Sequence, residues 1–197
     1  MTGVQTCALP ILRDYTLKDL RDRIGYVPQR SVLFKGTVAG NISYGDETHG
    51  ETHDMRDARI REAADIAQAT EFVERMNDGF DSPIAQGGSN VSGGQKQRLS
   101  IARAVYRDPE ILIFDDSFSA LDFKTDREVR DALAAHAKDA TKLIVAQRIG
   151  TIMNADLIVV LDEGRVVGEG THRELLESCE VYRQIALSQL SQTELTA

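Results

Sequence analysis

Two neighbouring stretches of the sequence decide its fold class, Val91-Ser92-Gly93-Gly94-Gln95-Lys96-Gln97-Arg98 and Ile111-Leu112-Ile113-Phe114-Asp115-Asp116. The first places two glycines at the start of a predicted helix. A helix N-terminus presents unpaired N–H groups and a positive dipole end, and glycines let that backbone approach an anion closely. Taken alone, such a segment is more often a plain glycine turn. In the second stretch an apolar run ends in two acids. These acids indicate either a functional site or simply the solvated end of a strand.

Short apolar runs alternate with helical patterns on both sides of these stretches. Strands are predicted at residues 24–27, 111–114, 143–146, 157–161 and 165–167, and helices at 125–138, 171–177 and 181–190. Thr125-x-x-Glu128 and Thr171-x-x-Glu174 have the capping-box form, which favours helix starts at both threonines. The alternation predicts a largely parallel sheet covered by helices.

Residues 37–107 have a different character, because the pattern there is helical almost throughout. One face of a charged helix is apolar at four positions, Ile60, Ala63, Ala64 and Ala67. Loops are predicted at 44–54 and 77–90. The last helix of the region begins at the paired glycines and ends near Arg107. We therefore expect an inserted helical subdomain.

The composition is that of a globular domain with a substantial core, since 42% of the residues are hydrophobic and 27% are charged. The formal net charge of −8 argues against a general nucleic-acid binder, because such proteins usually carry a basic surface. No apolar run approaches the length of a transmembrane helix. His49 and His53 form an H-x-x-x-H pair in a polar loop, which we interpret as chance rather than as a metal site.

The order and spacing of these motifs, with Ser119-Ala120-Leu121-Asp122 after the two acids, resemble the ATP-binding cassette (ABC) family in its exporter branch. The resemblance covers residues 12–190. It implies an α/β fold, with a P-loop NTPase (RecA-like) parallel-sheet core and an inserted helical subdomain. We expect residues 37–107 to form that subdomain, 108–190 to form part of the core, and 191–197 to be a tail.

One family motif is missing, since the sequence contains no G-x-x-x-x-G-K-[ST] loop to hold nucleotide phosphates. Residues 1–11 resemble the in-frame translation of a sequencing adapter and join directly onto family-like sequence. We therefore expect residues 1–11 to be an artefact and residues 12–197 to be a partial domain that begins before the glutamine loop. With Cys7 set aside, Cys179 is single, which leaves no disulfide framework and favours a reducing compartment.

The resemblance implies roles for the glycine-containing segment. In the family this signature, here Ser92, Gly93, Gly94 and Gln95, binds the γ-phosphate of ATP held by the opposite subunit of a head-to-tail dimer. Asp122 matches an aspartate that acts across the same interface, and it is also a candidate helix N-cap. A second ABC subunit is therefore an expected partner.

The family also implies a magnesium site and a link to a membrane domain. Asp115 matches the magnesium-associated carboxylate, and Gln29, after Val27-Pro28, matches a glutamine that coordinates Mg²⁺ or water. Residues 33–38 resemble the exporter form of the loop after this glutamine. Residues 82–88 lie where exporters contact the coupling helices of the transmembrane domain. Residues 164–172 resemble a closing hairpin with a structural role, and His172 is expected at the surface or as a cap.

Two positions depart from the family pattern. Asp116 stands where competent members carry a catalytic glutamate, and Gln147 stands where they carry a histidine that contacts the γ-phosphate. Asp is shorter by about 1.5 Å, and a misplacement near 1 Å can cost on the order of 10²-fold in rate. Glutamine can donate one hydrogen bond but cannot carry a proton as histidine does. We infer a degenerate site in one arm of a heterodimer, with a slow homodimer as the alternative.

These residues together predict the C-terminal part of the ATPase domain of an ABC exporter, which hydrolyses ATP with Mg²⁺ at the cytoplasmic face of a membrane. The chain alone is expected to be inactive, and no nucleic acid is expected as a partner. Three alternatives stay open: the ATPase subunit of an importer, a soluble ABC protein, and a non-catalytic fragment.

Overall fold

The computed structural model describes residues 14–46 and 52–190. These residues belong to two compact units, the first reaching Leu143 and the second beginning at Ile144. Three predictions lie outside the described residues: the adapter-like segment 1–11, His49 of the histidine pair, and the tail 191–197.

In chain order the helices and strands are α1 (Leu17–Asp22), β1 (Ile24–Val27), β2 (Gly36–Thr37), α2 (Val38–Ile42), α3 (His53–Ile66), α4 (Thr70–Glu74), β3 (Pro83–Ile84), α5 (Gly93–Tyr106), β4 (Ile111–Asp115), α6 (Phe123–His136), β5 (Thr141–Val145), α7 (Ile149–Ile152), β6 (Ile158–Asp162), β7 (Arg165–Gly170), α8 (His172–Ser178) and α9 (Glu180–Gln189). Two 3₁₀ turns, Gly79–Asp81 and Gln86–Gly88, flank β3. Every individually predicted strand and helix outside the helical region is present, with ends shifted by at most three residues. Within the described ranges, no helix combines the length and the apolar character needed to cross a bilayer.

A three-stranded sheet in the order β1-β4-β5 confirms the predicted α/β class. Strands β1 and β4 run parallel, with Tyr26 opposite Ile113 and Val27 opposite Phe114. The boundary between the two units falls inside β5. The sheet therefore places the ends of β1 and β4 side by side.

Alternate residues of β1 and β4 contribute to the core of the first unit. Val27, Leu112 and Phe114 are completely buried. Gly25 is buried too, and a Cβ at this position would lie 2.8 Å from the Ala104 carbonyl oxygen. The absence of a side chain at Gly25 is thus what lets α5 pack directly against β1.

Helices α2 to α5 occupy the region that was expected to be helical. The apolar face predicted for α3 is confirmed by four buried residues, Ile60, Ala63, Ala64 and Ala67. Two strands of this region were not predicted, β2 at its start and β3 inside the loop expected at 77–90, and they pair antiparallel, with Gly36 opposite Ile84. Each of these strands has two residues, which is too short for an alternating pattern to reveal.

Helix α6 begins two residues earlier than predicted. Asp122 is its N-cap, and Oδ1 of Asp122 accepts a hydrogen bond from the Thr125 N–H at 2.9 Å. The predicted capping box at Thr125 is therefore wrong, because Thr125 is already inside the helix. The second box is confirmed, since Thr171 and Glu174 cap the start of α8 reciprocally.

Over residues 144–190, the second unit contains the β6-β7 hairpin and helices α7, α8 and α9. Strands β6 and β7 are antiparallel, and the unit has its own core of seven buried residues, Ile149, Ile158, Val160, Leu175, Cys179, Tyr182 and Ala186. His172 is half-buried, and its Nδ1 lies 2.7 Å from the hydroxyl oxygen of Tyr182. It is a packing residue rather than the surface or capping residue that the sequence suggested.

Candidate functional site

The ends of β1 and β4 bring together residues from distant parts of the chain. Parallel neighbouring strands end at the same edge of a sheet, so the residues that follow them become neighbours. The side-chain Nε2 of Gln29, two residues after β1, donates to Oδ2 of Asp116 at 3.0 Å. The hydroxyl of Tyr26 donates to Oδ2 of Asp115 at 3.1 Å. Gln29, Asp115 and Asp116 therefore lie in one cluster.

The backbone of Asp116 adopts a left-handed conformation, with φ at +46°. Few residues other than glycine do so, and aspartate is among those that tolerate it best. The next residue, Ser117, is completely buried and donates its hydroxyl to the Val27 carbonyl at 2.9 Å. This hydrogen bond ties the end of β4 to the end of β1. It fixes the turn that carries the Asp116 carboxylate to Gln29.

Tyr26 is a site residue that the sequence analysis did not identify. The hydrogen bond to Asp115 raises the pKa of Tyr26, because an ionised phenol could not donate it. A usable signal was its position between buried Gly25 and Val27, since alternate strand residues face opposite sides of a sheet. Tyr26 orients the Asp115 carboxylate through one oxygen.

The cluster suits a hard divalent cation. Mg²⁺ prefers oxygen ligands and usually takes one or two carboxylates together with phosphate oxygens. Asp115 and Asp116 offer carboxylates. The side-chain amide nitrogen of Gln29 donates to Asp116, which leaves the side-chain oxygen of Gln29 available to a cation. Over the described ranges, no group of three or more His, Cys, Asp or Glu side chains could hold a metal by itself. The residues therefore fit a cation that takes its remaining ligands from water or from a bound molecule.

The N-terminus of α5 is the second predicted site. Oγ of Ser92 accepts from the Gln95 N–H at 3.3 Å, and Oε1 of Gln95 accepts from the Ser92 N–H at 2.9 Å. The N–H groups of Gly93 and Gly94 lie in the first turn and have no partner inside the helix. The Ser92 hydroxyl still has a proton to donate. This end of α5 can bind an anion, while the Gln95 side-chain oxygen serves the cap.

Asp122 lies close to the same helix. A Cβ on Gly94 would come within 3.5 Å of the Ala120 carbonyl oxygen, so the segment leading to Asp122 passes alongside the glycines. Hydrogen bonds from Thr125, first from its backbone and then from its side chain, lower the pKa of Asp122. Burial lowers the pKa of Arg98 on α5, and the negative charge of Asp122 partly offsets this effect. The structure thus joins the signature and Asp122 in one region.

Gln97 connects the signature helix to the loop that carries Gln29. Its side chain is 2% exposed. Oε1 of Gln97 accepts from the Ser31 hydroxyl at 2.5 Å, and Nε2 of Gln97 donates weakly to the Pro28 carbonyl at 3.4 Å. Gln97 lies in the stretch that resembles the signature but was not predicted as a site residue. A glutamine in the middle of a buried helix face was the available signal, because buried amides require partners.

Gln147 belongs to the second unit, where it follows β5 and is exposed. Its main-chain carbonyl accepts from Nε2 of Gln189 at 2.9 Å, and the Gln189 side-chain oxygen accepts from the Ile149 N–H at 2.9 Å. Gln189 therefore braces the backbone on both sides of Arg148. The structure places Gln147 at the start of a supported turn before α7.

The two exporter-like segments, residues 33–38 and residues 82–88, lie together. Besides the β2-β3 pair, the Gly87 N–H donates to the Leu33 carbonyl at 3.1 Å. The rings of Phe34 and Tyr44 stack with centroids 4.2 Å apart, and the Arg103 guanidinium lies over both. Segments 33–38 and 82–88 thus form one joint surface with an exposed aromatic pair.

Comparison with known proteins gives consistent matches. Residues 6–119 match the family described as ABC transporter. An uncharacterized ABC transporter ATP-binding protein of Mycobacterium bovis is 47% identical over 178 residues, 90% of this chain and 30% of that protein. An ATP-dependent lipid A-core flippase of Ralstonia nicotianae is 48% identical over 171 residues, 87% of this chain and 28% of that protein.

A solved structure of a bacterial Atm1-family ABC exporter with ATP bound superposes with a TM-score of 0.82 at 37% identity. The match covers 90% of this chain and 30% of the exporter chain. The chain therefore spans about 30% of the length of the proteins it matches. Family match, relatives and fold agree, and this chain belongs to the ABC transporter family, in which it corresponds to the nucleotide-binding domain of exporter-type members.

Proposed function

We propose that this chain is the C-terminal part of an ATPase domain that drives export across a membrane from the cytoplasmic side. In this account residues 37–107 are the helical subdomain and residues 108–190 belong to the core. ATP is the substrate, and ADP and phosphate are the products. The carrying observation is the hydrogen bond between Gln29 and Asp116, because it joins two family-like motifs at the edge where the sheet's strands end.

Each residue of the cluster has a defined task in this proposal. Asp115, oriented by Tyr26, and the amide oxygen of Gln29 would hold Mg²⁺. The cation, when bound, would neutralise developing phosphate charge. Asp116 would orient the attacking water, and Gln29 fixes the carboxylate of Asp116. The left-handed backbone and the Ser117 hydrogen bond keep that carboxylate at the strand end.

The signature would act on a different nucleotide. We propose that the first turn of α5 binds the γ-phosphate of ATP held by a second ABC subunit, with Asp122 at the same interface. Exposure of Ser92 and Gly93 supports this assignment, since the helix end is open to an outside ligand. The surface formed by 33–38 and 82–88 would receive the coupling helices of a transmembrane domain.

The two family departures lead to a finer proposal. Asp116 is short for water activation, and Gln147 cannot carry the proton of a histidine. We propose that this polypeptide contributes the degenerate site of a heterodimer, while its intact signature completes the competent site of its partner. Because the sequence has no phosphate-loop motif, the 197-residue chain by itself should bind ATP weakly and hydrolyse essentially none. Saturation of the isolated chain by labelled ATP at micromolar concentrations would refute this last point.

A charge placed in the signature tests the assignment. A Cβ at Gly93 meets open space, and an acid in the first turn favours a helix, so Gly93→Asp should fold normally. In the full-length transporter it should lower ATP turnover at least about 100-fold by repelling phosphate, the scale of losing an anion-binding donor. The matched neutral variant Gly93→Asn should lose clearly less. Equal turnover in Gly93→Asp and the wild type would reject the signature's role.

A further inference from the structure

The contacts of Gln97 lead to an inference that goes beyond the proposed function. This inference rests on the proposed function. Gln97 stands one turn after Gly93 on α5, a rise of about 6 Å. Its amide reaches the residues on both sides of Gln29, Pro28 before it and Ser31 after it. The side chain of Gln97 thus contacts the loop that holds Gln29 in this chain's own site. Gln97 also belongs to α5, whose first turn is proposed to bind the ATP of the second subunit.

We propose that Gln97 is a positioning residue that couples the placement of Gln29 at Asp116 to the placement of the signature helix. Through this link, the state of the degenerate site adjusts how the signature completes the competent site. The link is reciprocal, because any coupling free energy between two sites acts in both directions.

The burial of Gln97 makes the loss of its hydrogen bonds energetically costly. Gln97 is 2% exposed, so water cannot replace the loop as a partner for its amide. Moving the loop away from α5 leaves a buried donor and a buried acceptor unpaired, which is penalised more than the hydrogen bonds themselves are worth. Residues 28–31 and α5 therefore move together, because separating them costs the free energy of two unpaired buried groups.

Neighbouring contacts hold the rest of the loop independently. The Arg103 guanidinium, also on α5, donates to the Val32 carbonyl at 2.9 Å and to the Asn41 carbonyl at 2.8 Å. Loss of the Gln97 amide should consequently loosen residues 28–31 without unfolding the domain. This separation makes Gln97 testable by substitution.

Amide hydrogen exchange of the full-length, nucleotide-free protein tests the link without any catalytic readout. Gln97→Met keeps the length of the side chain and removes both hydrogen bonds. Exchange in peptides covering residues 28–32 should rise about tenfold or more, while α6 stays unchanged. The matched control Gln184→Met, at an exposed position on α9, should leave both segments as they are. Unchanged exchange at 28–32 in Gln97→Met would overturn the proposal.

A double-mutant cycle in the full-length transporter with its partner tests the transmission step. Gln97→Met should lower ATP turnover about tenfold when Gln29 is present and less than about twofold in a Gln29→Ala background. An equal loss in both backgrounds would assign Gln97 a purely structural role and overturn the proposal. If the wild-type transporter hydrolysed no ATP, the proposed function would fail, and the exchange experiment would still decide whether Gln97 holds the loop.

Discussion

The side-chain amide of Gln29 donates to the carboxylate of Asp116 across 3.0 Å, although 87 residues separate them in the chain. Each residue follows a strand of the parallel β1-β4 pair. The buried hydroxyl of Ser117 ties the two strand ends together through the Val27 carbonyl. The site is therefore a property of the sheet's register rather than of either loop alone.

Gly25 should tolerate no side chain. A Cβ there would lie 2.8 Å from both the Ala104 carbonyl oxygen and Cδ2 of Leu112, and 2.9 Å from Cγ of Pro109. Gly25→Ala should lower the free energy of opening of β1 and β4 by about 1–3 kcal/mol, the usual cost of overpacking. Native-state hydrogen exchange in the full-length protein measures it. Gly150→Ala is the control, because a Cβ there meets open space. Equal protection in Gly25→Ala and the wild type would contradict the close α5-β1 contact.

The stability of α6 should decrease at acid pH, because protonation of Asp122 weakens its cap. Hydrogen bonds from the Thr125 backbone and hydroxyl lower the pKa of Asp122 below the ordinary value of 3.8. The stabilisation is therefore complete above pH 3.8 and is lost as the pH falls through the folded-state pKa. Asp122→Asn can still cap the helix but does not titrate.

Thermal unfolding of the full-length protein at pH 5.5 and pH 3 checks this expectation. The wild type should lose more stability than Asp122→Asn over that interval. Asp139→Asn, at an exposed position after α6, should behave like the wild type. A wild type and an Asp122→Asn variant with parallel pH profiles would argue against the cap as the source.

His172 should make the second unit sensitive to mild acid. Burial lowers the pKa of His172, and its Nε2 is buried without a hydrogen-bond partner in the described structure. Because the folded state favours the neutral ring, stability is present above the unfolded value of 6.5 and is lost as the pH falls through the folded-state pKa. His172→Gln should remove this loss.

Hydrogen exchange of β6 and β7 at matched intrinsic rates, at pH 7.5 and pH 5.5, measures the effect of His172. His136→Gln, at an exposed position on α6, is the control and should leave the second unit's pH response unchanged. A pH response that persists in His172→Gln would place its origin elsewhere.

The local features of the fold could be predicted from the sequence. The strand at 24–27 and the helix that begins after Ser92 are present as expected, because an apolar run before a proline and a glycine-rich cap are strong local signals. The start of α6 was misplaced by two residues, since Thr125 and Asp122 are both good caps and the chain uses Asp122.

The contacts that organise the site could not be predicted in the same way. Tyr26 and Asp115 are 89 residues apart, and Ser31 and Gln97 are 66 apart. Periodicity reports which face of an element is buried but not which residue of another element it meets. The register of β1 against β4 supplies that information for Tyr26, and the packing of α5 on the loop supplies it for Gln97.

The most direct test of the account repairs the proposed degenerate site in the full-length transporter while the partner's hydrolytic site is inactivated. Asp116→Glu combined with Gln147→His should raise ATP turnover about tenfold or more, because a misplacement near 1 Å can cost on the order of 10²-fold. Asp115→Glu, the same extension at the neighbouring carboxylate, should not raise it. Turnover unchanged by the double substitution would contradict the claim that Asp116 and Gln147 make this site degenerate.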